Sequence, residues 1–230
     1  DHRDLHLSIR RQRQMCIRDR VVSAVDLTKA IDGNTALVSV MHANNEIGTI
    51  QQITNLAEIA HEHGALFHTD AIQSVGKIPV NVKTLGTDLL SLSAHKYNGP
   101  KGVGALWLKR GVRLSTVQTG GRHERNRRAG TENVPGLVGL GVASELAKAK
   151  LAETKQEFSA LRDLLEKGIL QSVSDTAING QQNQRVPNTS NISFAGVEAE
   201  SLLIALDLEG VAVSTGSACS SGTLEPSHVL

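Results

Sequence analysis

The sequence predicts an α/β protein with a mainly parallel sheet in a large domain and a smaller α/β lobe towards the C-terminus. Short apolar, β-branched segments alternate with amphipathic helical segments in the first part of the chain, a pattern typical of parallel strands joined by helices. Two long helical patterns follow, and then short strand-like segments around one helix. We therefore assign residues 21–150 to part of a large domain and 151–230 to part of a small one.

Four apolar segments are expected to form the strands of the large domain: 36–41, 65–69, 87–93 and 103–109. Between the first two, Ile53, Leu56, Ala57 and Ala60 follow the i, i+3, i+4, i+7 spacing of an amphipathic helix. Gly64 comes next and is expected to end that helix. The pattern does not encode the order of the strands.

The second half of the chain begins with a polar loop over residues 111–136. Beyond it the pattern predicts, in order, helices at 133–149 and 152–172, a strand at 191–195, a helix from Glu198 to Leu208, and a strand at 211–215. The last residues, 224–230, carry no signal that ends a domain. We therefore expect the chain to be a fragment of a longer protein.

Residues 1–20 differ from the rest of the chain, because they hold six arginines and three aspartates and show no periodic apolar pattern. A mitochondrial presequence would be poor in acidic residues. An arginine run can also be a nucleic-acid-binding arm or, more commonly, a solvated tail. We favour the interpretation that this segment is a leader foreign to the domain.

The composition excludes several classes of protein. The 24 basic and 23 acidic side chains nearly cancel, and the chain has only one Trp, one Tyr and three Phe, so we expect neither a nucleic-acid partner nor base stacking. No apolar run approaches the roughly 20 residues of a membrane span. Two cysteines, Cys16 and Cys219, cannot build a disulfide framework, and with no export signal they favour a cytoplasmic protein.

A set of reactive side chains follows the predicted strands. Asp70 comes after one strand, and Ser93, His95 and Lys96 come at the end of another. If these strands are neighbours, their carboxyl ends form one crevice, which is where open α/β sheets bind ligands. An isolated lysine is by default solvated. Together with the carboxylate, hydroxyl and imidazole, however, the amine is suited to forming a Schiff base with pyridoxal phosphate.

Cys219 lies in a segment of small polar residues, STGSACSSGT, rather than among apolar neighbours. This setting is typical of an exposed, adaptable loop, and from the loop alone a reactive thiol and a merely exposed one are equally well supported. A metal site is not indicated, because His61 and His63 are two residues apart on a helix and point in different directions. We assign no catalytic metal.

Five motifs, in order, resemble those of the cysteine desulfurases, pyridoxal phosphate enzymes of the class V aminotransferase group. They are HANNEIG (42–48), FHTDAIQSVGK (67–77), SAHKYNGPKGVGAL (93–106), GGRHERNRRAGTEN (120–133) and STGSACSSGTLEPSHVL (214–230). The resemblance implies the fold-type I architecture of pyridoxal phosphate-dependent transferases and a homodimer. Selenocysteine lyases share much of the pattern and are an alternative.

The resemblance also implies how the cofactor is held. Asp70 matches the carboxylate paired with the pyridine nitrogen, and Gln73 matches the amide that bonds the phenolic oxygen. Asn45 matches a residue near that oxygen and the substrate carboxylate. Ser93 and His95 match phosphate ligands.

Three further residues acquire roles in the same way. Lys96 matches the Schiff-base lysine, which also moves the substrate's α-proton, and Thr131 matches a threonine that reaches the phosphate of the neighbouring subunit's cofactor. Cys219 matches the sulfur acceptor, which becomes a persulfide while L-cysteine becomes L-alanine. This thiol could also transiently ligate an iron–sulfur cluster.

The implied function is sulfur supply for iron–sulfur cluster assembly or tRNA thiolation, through acceptor proteins such as an iron–sulfur scaffold. Two family features are not identifiable before the matched part, a phosphate-binding loop and a histidine that stacks on the cofactor. An arginine for the substrate carboxylate is expected beyond Leu230. Incompleteness at both ends leaves open that this chain is inactive alone, or that it is a binding subunit that only docks sulfur-relay partners.

Overall fold

The computed structural model describes residues 21–215 and 229, so the predicted leader 1–20 and the loop with Cys219 lie outside the described residues. The described residues form two compact units. The sheet unit consists of Ile31–His42 and Ile53–Ala152, and the hairpin unit consists of residues 21–30, 43–52 and 153–215 with 229. The domain limits 1–20, 21–150 and 151–230 stay predictions.

A four-stranded sheet is the centre of the sheet unit. Its strands are β1 (Leu37–Met41), β2 (Leu66–Asp70), β3 (Leu89–Ser93) and β4 (Gly104–Leu108), in that spatial order. The first three strands are parallel, and β4 runs antiparallel to β3. The reversal at β4 follows from its short connection, since a parallel crossover needs a dozen or more residues. The predicted mainly parallel sheet is confirmed.

One face of the sheet is buried against a helix. Val38, Val40 and Phe67 alternate with exposed or half-buried residues along β1 and β2, and Phe67 is fully enclosed. Helix α2 (Ile53–Glu62) packs on these two strands and buries the four apolar positions that its spacing predicts. Gly64 follows in the left-handed region at φ 79°, where a glycine is unstrained.

The other face of the sheet is polar and partly exposed. Ser39 Oγ lies 2.7 Å from His68 Nδ1, and His68 Nε2 lies 2.8 Å from Ser91 Oγ, so a hydrogen-bond chain crosses three strands. Burial lowers the pKa of His68, and the charge of Asp70 on the same strand acts in the opposite direction. This face therefore presents polar groups beside the carboxyl end of β2.

The remaining elements are helices α1 (Ala24–Ala30), α3 (Val82–Leu85), α4 (Val134–Ser172) and α5 (Ala199–Leu208), and a hairpin of β5 (Thr176–Ile178) and β6 (Ile192–Phe194). Strand β6 and helix α5 confirm predictions, whereas β5, α1 and α3 are not predicted. Among the described residues, no helix has the length and apolarity to cross a membrane.

Two predictions for the second half of the chain are wrong. The helices expected at 133–149 and 152–172 are one helix of 39 residues, α4. Residues 149–152 are Ala, Lys, Leu and Ala, which are all good helix formers and give no reason to break. The strand expected at 211–215 is not formed, because residues 211–214 have no regular structure and pair with no strand among the described residues.

A buried ion pair anchors helix α4 within the hairpin unit. Arg185 Nη1 donates to Glu166 Oε1 over 2.7 Å, its Nη2 donates to Glu166 Oε2, and Ser190 Oγ donates to Glu166 Oε1 over 2.8 Å. Both charged side chains are almost fully buried. Two parallel hydrogen bonds between a guanidinium and a carboxylate fix both partners in orientation.

A second buried carboxylate ties the sheet unit together at the start of β3. Asp88 accepts hydrogen bonds from the backbone N–H of Phe67 at 3.0 Å and from Lys109 Nζ at 3.0 Å, and it contacts His61 Nε2 at 2.6 Å. Burial disfavours its charge, but these hydrogen bonds outweigh burial and lower the pKa of Asp88. One side chain thus joins β2, helix α2 and Lys109, the residue that follows β4.

Replacing this carboxylate should weaken the sheet unit. We expect Asp88→Asn to lower the free energy of unfolding by about 1.5–3 kcal/mol, the range for hydrogen bonds to charged groups. Because the pKa of Asp88 is lowered in the fold, its stabilisation is present above about pH 4 and is lost as the pH falls through the folded pKa. Urea unfolding of both proteins between about pH 3 and pH 7, a range set by the carboxyl pKa values, measures this.

The control is Asp26→Asn, since Asp26 is exposed and forms an exposed ion pair with Lys29 at 3.8 Å. Exposed pairs contribute about 0–1 kcal/mol, so this variant should unfold nearly as the parent does. Equal losses from the two substitutions, or a deficit in Asp88→Asn that stays constant down to about pH 3, would contradict the assignment.

Candidate functional site

The parallel strands β1, β2 and β3 end at one edge of the sheet, and the predicted site residues follow that edge. Asp70 is the last residue of β2, where it is aligned with Met41 of β1 and Ser91 of β3. Ser93 ends β3 two residues beyond that level. The strand alignment therefore places a carboxylate and a hydroxyl at neighbouring strand ends, as the sequence predicts.

A single-turn 3-10 helix, Ala94–Tyr97, follows β3 directly and carries His95 and Lys96. Ser93 Oγ lies 2.8 Å from His95 Nδ1, so these two polar groups form one unit at the strand end. Lys96 is half-buried and His95 is exposed. The turn thus displays an imidazole and an amine on consecutive residues beside the hydroxyl.

The loop after this turn is held tightly. Asn98 adopts the left-handed conformation at φ 65° and ends the 3-10 helix. A Cβ atom on Gly99 would lie 2.8 Å from the Cβ of Ala94, and one on Gly139 of helix α4 would lie 2.4 Å from Pro100 Cγ. Both distances are shorter than side chains tolerate. We call this loop the lysine loop. It packs against α4 through the contact of Gly139 with Pro100, and this packing restricts where Lys96 can lie.

A compact turn over residues 71–78 follows β2 and carries Gln73. Its first residues are held by Asp70 Oδ1, which accepts from the N–H of Ile72 at 2.9 Å. A Cβ atom on Gly76 would lie 2.7 Å from the Cβ of Tyr97, so this turn packs directly on the 3-10 helix that bears Lys96. The structure therefore brings Asp70, Gln73, Ser93, His95 and Lys96 into one region of the sheet unit.

The same turn carries a lysine to which the sequence reasoning gives no role. Lys77 Nζ donates to Gln73 Oε1 at 2.9 Å. Burial, and then the charge of Lys96, lower the pKa of Lys77 to about 8. Its position four residues after Gln73, within the motif FHTDAIQSVGK, is the signal that could have identified it.

His42 is a second residue that the sequence reasoning passes over. It follows β1, is buried, and its backbone N–H donates to the carbonyl oxygen of Asp70 at 2.8 Å. Its Nδ1 is buried and has no hydrogen-bond partner among the described residues. Burial lowers the pKa of His42, which favours a neutral imidazole beside the end of β2.

Two predicted site residues lie outside this cluster. Asn45 belongs to the hairpin unit, where it is exposed in the tight turn between Asn44 and Thr49. Thr131 lies in the exposed segment before helix α4. Neither placement tests the predicted role, because Asn45 is described within a different unit and Thr131 is expected to serve a neighbouring subunit.

The donor set at the sheet edge fits pyridoxal phosphate. Asp70 offers a carboxylate for the ring nitrogen, Gln73 an amide for the phenolic oxygen, and Ser93 and His95 donors for the phosphate. Lys96 offers the amine. In residues 21–215, no group of three or more His, Cys, Asp or Glu is arranged to hold a metal ion. Cys219 lies outside the described residues.

A family model and individual relatives with similar sequences agree on the family of this chain. The sequence model of the Aminotransferase class-V family matches residues 15–230. The chain is 54% identical over 213 residues to "Cysteine desulfurase IscS" of Dictyoglomus turgidum, covering 93% of this chain and 54% of that protein. It is 53% identical over 202 residues to "Cysteine desulfurase" of Gluconacetobacter diazotrophicus, covering 88% and 50%. The chain spans about half the length of the curated relatives it matches.

Solved structures agree in fold. A "NIFS-like protein" superposes with a TM-score of 0.81 at 39% identity, over 85% of this chain and 53% of that one. A NifS-like protein from Rickettsia africae gives a TM-score of 0.81 at 34% identity, over 86% and 55%. These similarities confirm the predicted fold-type I α/β architecture.

Tight packing between the Gln73 turn and the lysine loop gives a testable consequence. Gly76 has φ 78°, and Gly76→Ala should cost about 1–2 kcal/mol for the left-handed backbone and about 1–3 kcal/mol for the clash with Tyr97. Because the clash displaces the 3-10 helix, affinity for pyridoxal phosphate should fall too. Thermal unfolding and cofactor titration measure the two effects.

Gly102→Ala is the matched control, since Gly102 has φ 77° and a Cβ atom added there would meet no other atom within 4 Å. Only the backbone cost of about 1–2 kcal/mol should remain, with cofactor affinity unchanged. Equal loss of stability in both variants would show that the turn with Gln73 does not pack on the 3-10 helix that bears Lys96.

Proposed function

The chain belongs to the aminotransferase class-V family, and from that premise we propose that the whole protein is a pyridoxal phosphate-dependent cysteine desulfurase. The observation that carries the proposal is the arrangement at the sheet edge, where Lys96 follows Ser93 and His95 and lies beside the turn that bears Gln73. Two relatives named cysteine desulfurase, which are 54% and 53% identical in sequence to this chain, support the proposal.

Several residues of this chain would bind different parts of the cofactor. Asp70 would keep the ring nitrogen protonated, which a carboxylate at hydrogen-bond distance favours. Ser93 and His95 would bind the phosphate, and Gln73 and Asn45 would bind at the phenolic oxygen. Bound pyridoxal phosphate supplies an electron sink for the bonds at the substrate's α-carbon.

Lys96 has two tasks in this proposal. Its amine would hold the cofactor in the resting protein. The same amine would act as the base that takes the proton from the substrate's α-carbon and returns it. A half-buried lysine on a short, tightly packed turn suits both tasks, because it is held in place and partly shielded from water.

Sulfur transfer is proposed to end on Cys219. The thiolate of Cys219 attacks the substrate sulfur, the S–S bond forms, and the C–S bond breaks. The electron pair of the broken bond stays on carbon, which takes up a proton and becomes the methyl group of L-alanine. The enzyme is left with a persulfide, a reversible state of cysteine that another thiol can accept.

Partners and location belong to the same proposal. We propose a cytoplasmic homodimer in which Thr131 reaches the phosphate of the neighbouring subunit's cofactor. Acceptor proteins, such as an iron–sulfur scaffold or a tRNA-thiolation carrier, would take the sulfur from Cys219, which could also transiently ligate a cluster.

Substitution of the two reactive residues in the whole protein tests this function. Lys96→Ala should remove the visible absorbance of the lysine-bound cofactor and lower alanine release by at least about a thousandfold, because the covalent base is lost. Cys219→Ser should keep that absorbance and abolish persulfide formation. Alanine release from L-cysteine and persulfide on the protein are measured in parallel.

The specificity control is the parent protein supplied with free selenocysteine instead of L-cysteine as the substrate. Faster alanine release from selenocysteine with none from cysteine would favour the selenocysteine lyase alternative. Failure of the parent protein to bind pyridoxal phosphate would reject the enzymatic proposal and favour a binding subunit. An unchanged rate of sulfur transfer in Cys219→Ser would remove this thiol from the mechanism.

A further inference from the structure

We propose that Lys77 is a positioning residue that fixes the orientation of the Gln73 amide towards the cofactor. The inference rests on the proposed function, since it concerns how this chain holds pyridoxal phosphate. Lys77 need not touch the cofactor in this proposal. It acts through the hydrogen bond that its Nζ donates to Gln73 Oε1 at 2.9 Å.

Chemistry decides which end of the amide the lysine can bind. An ammonium group has three donors and no acceptor, so it can pair only with the oxygen of Gln73 and never with its NH2 group. An amide side chain without such a partner can rotate by half a turn and exchange its oxygen and nitrogen. Lys77 removes that freedom and leaves the two N–H donors of Gln73 for a second partner.

The required second partner is an acceptor. The phenolic oxygen of pyridoxal phosphate carries negative charge and accepts hydrogen bonds, so an amide presented with its NH2 group matches it. A flipped amide would present its own oxygen to that oxygen and repel it. The lysine thus selects the one orientation of Gln73 that is compatible with the cofactor.

Local structure holds the pair in register. The backbone N–H groups of Val75 and Ile78 donate to Ala71 and Ser74, so residues 71–78 form consecutive helix-like turns. In such a turn, residues four apart lie on the same side, as Gln73 and Lys77 do. Contact of Gly76 with Tyr97 then fixes the turn against the 3-10 helix that bears Lys96.

Charge at the site determines how the hydrogen bond between Lys77 and Gln73 would respond to pH. Lys77 is hydrogen-bonded to Gln73 of its own turn, and the charge of Lys96 on the 3-10 helix acts on it. Burial, and then this neighbour, lower the pKa of Lys77 to about 8. Above that pH the neutral amine can accept as well as donate, so it no longer selects one amide orientation.

Cofactor binding in the whole protein tests the proposal without reference to turnover. The dissociation constant of pyridoxal phosphate is measured from absorbance at a series of pH values. The series extends from about 1.5 pH units below the lowered pKa of Lys77 to about 1.5 units above it. We expect Lys77→Met to weaken binding about 3–10-fold at neutral pH, the equivalent of one hydrogen bond. The parent protein should weaken as the pH rises through about 8, and Lys77→Met should lack that step.

Two further variants separate positioning from charge and from folding. Lys77→Arg keeps a donor-only group that does not titrate in this range, so it should bind as the parent does at neutral pH and lack the step. Lys101→Met removes an exposed positive charge from the same unit and should change neither affinity nor the step.

A double-mutant cycle with Gln73→Leu identifies the route of the effect. If Lys77 acts through Gln73, Lys77→Met should add no further loss once the amide is gone. A loss of the same size in the Gln73→Leu background, or parent-like binding by Lys77→Met, would overturn the positioning role while the proposed enzyme stands. Absence of cofactor binding in the parent protein would overturn both.

Discussion

The parallel alignment of β2 and β3 is the constraint on which the rest of the site depends. Parallel pairing brings the carboxyl ends of both strands to one edge, and the alignment of Asp70 with Ser91 sets how far each strand extends there. A shift of one residue would turn Asp70 to the opposite face. That face is filled by Phe67 and helix α2, so the apolar core itself fixes the orientation of the Asp70 carboxylate.

Close backbone contacts then convert strand ends into a site. Gly76 brings the Gln73 turn against Tyr97, and Gly99 lets the lysine loop fold back on Ala94. In both places a side chain would occupy space that a neighbouring atom already fills. Fixed geometry at these contacts means that Gln73 and Lys96 need no large rearrangement to meet a shared ligand, which lowers the entropy cost of binding.

The sequence predicted most of the sheet unit because its signals are local. Apolar runs marked all four strands, and the spacing of Leu56 and Ala60 marked helix α2. The break expected within α4 and the strand expected at 211–215 were wrong, because short apolar patterns do not show whether a partner strand or a cap is present. Lys77 was missed for a related reason, since its spacing from Gln73 becomes a contact only if residues 71–78 fold into helix-like turns.

The energetics of Lys77 argue that it serves the site rather than the fold. Burying an ammonium costs free energy, as its lowered pKa shows, and the neighbouring charge of Lys96 adds to that cost. An apolar side chain at this position would avoid both penalties. The hydrogen bond to Gln73 offsets only part of this cost, since the pKa of Lys77 stays lowered. Residues that destabilise their own charged form typically cluster where ligands bind, and the edge beside Asp70 and Lys96 is where we propose the cofactor.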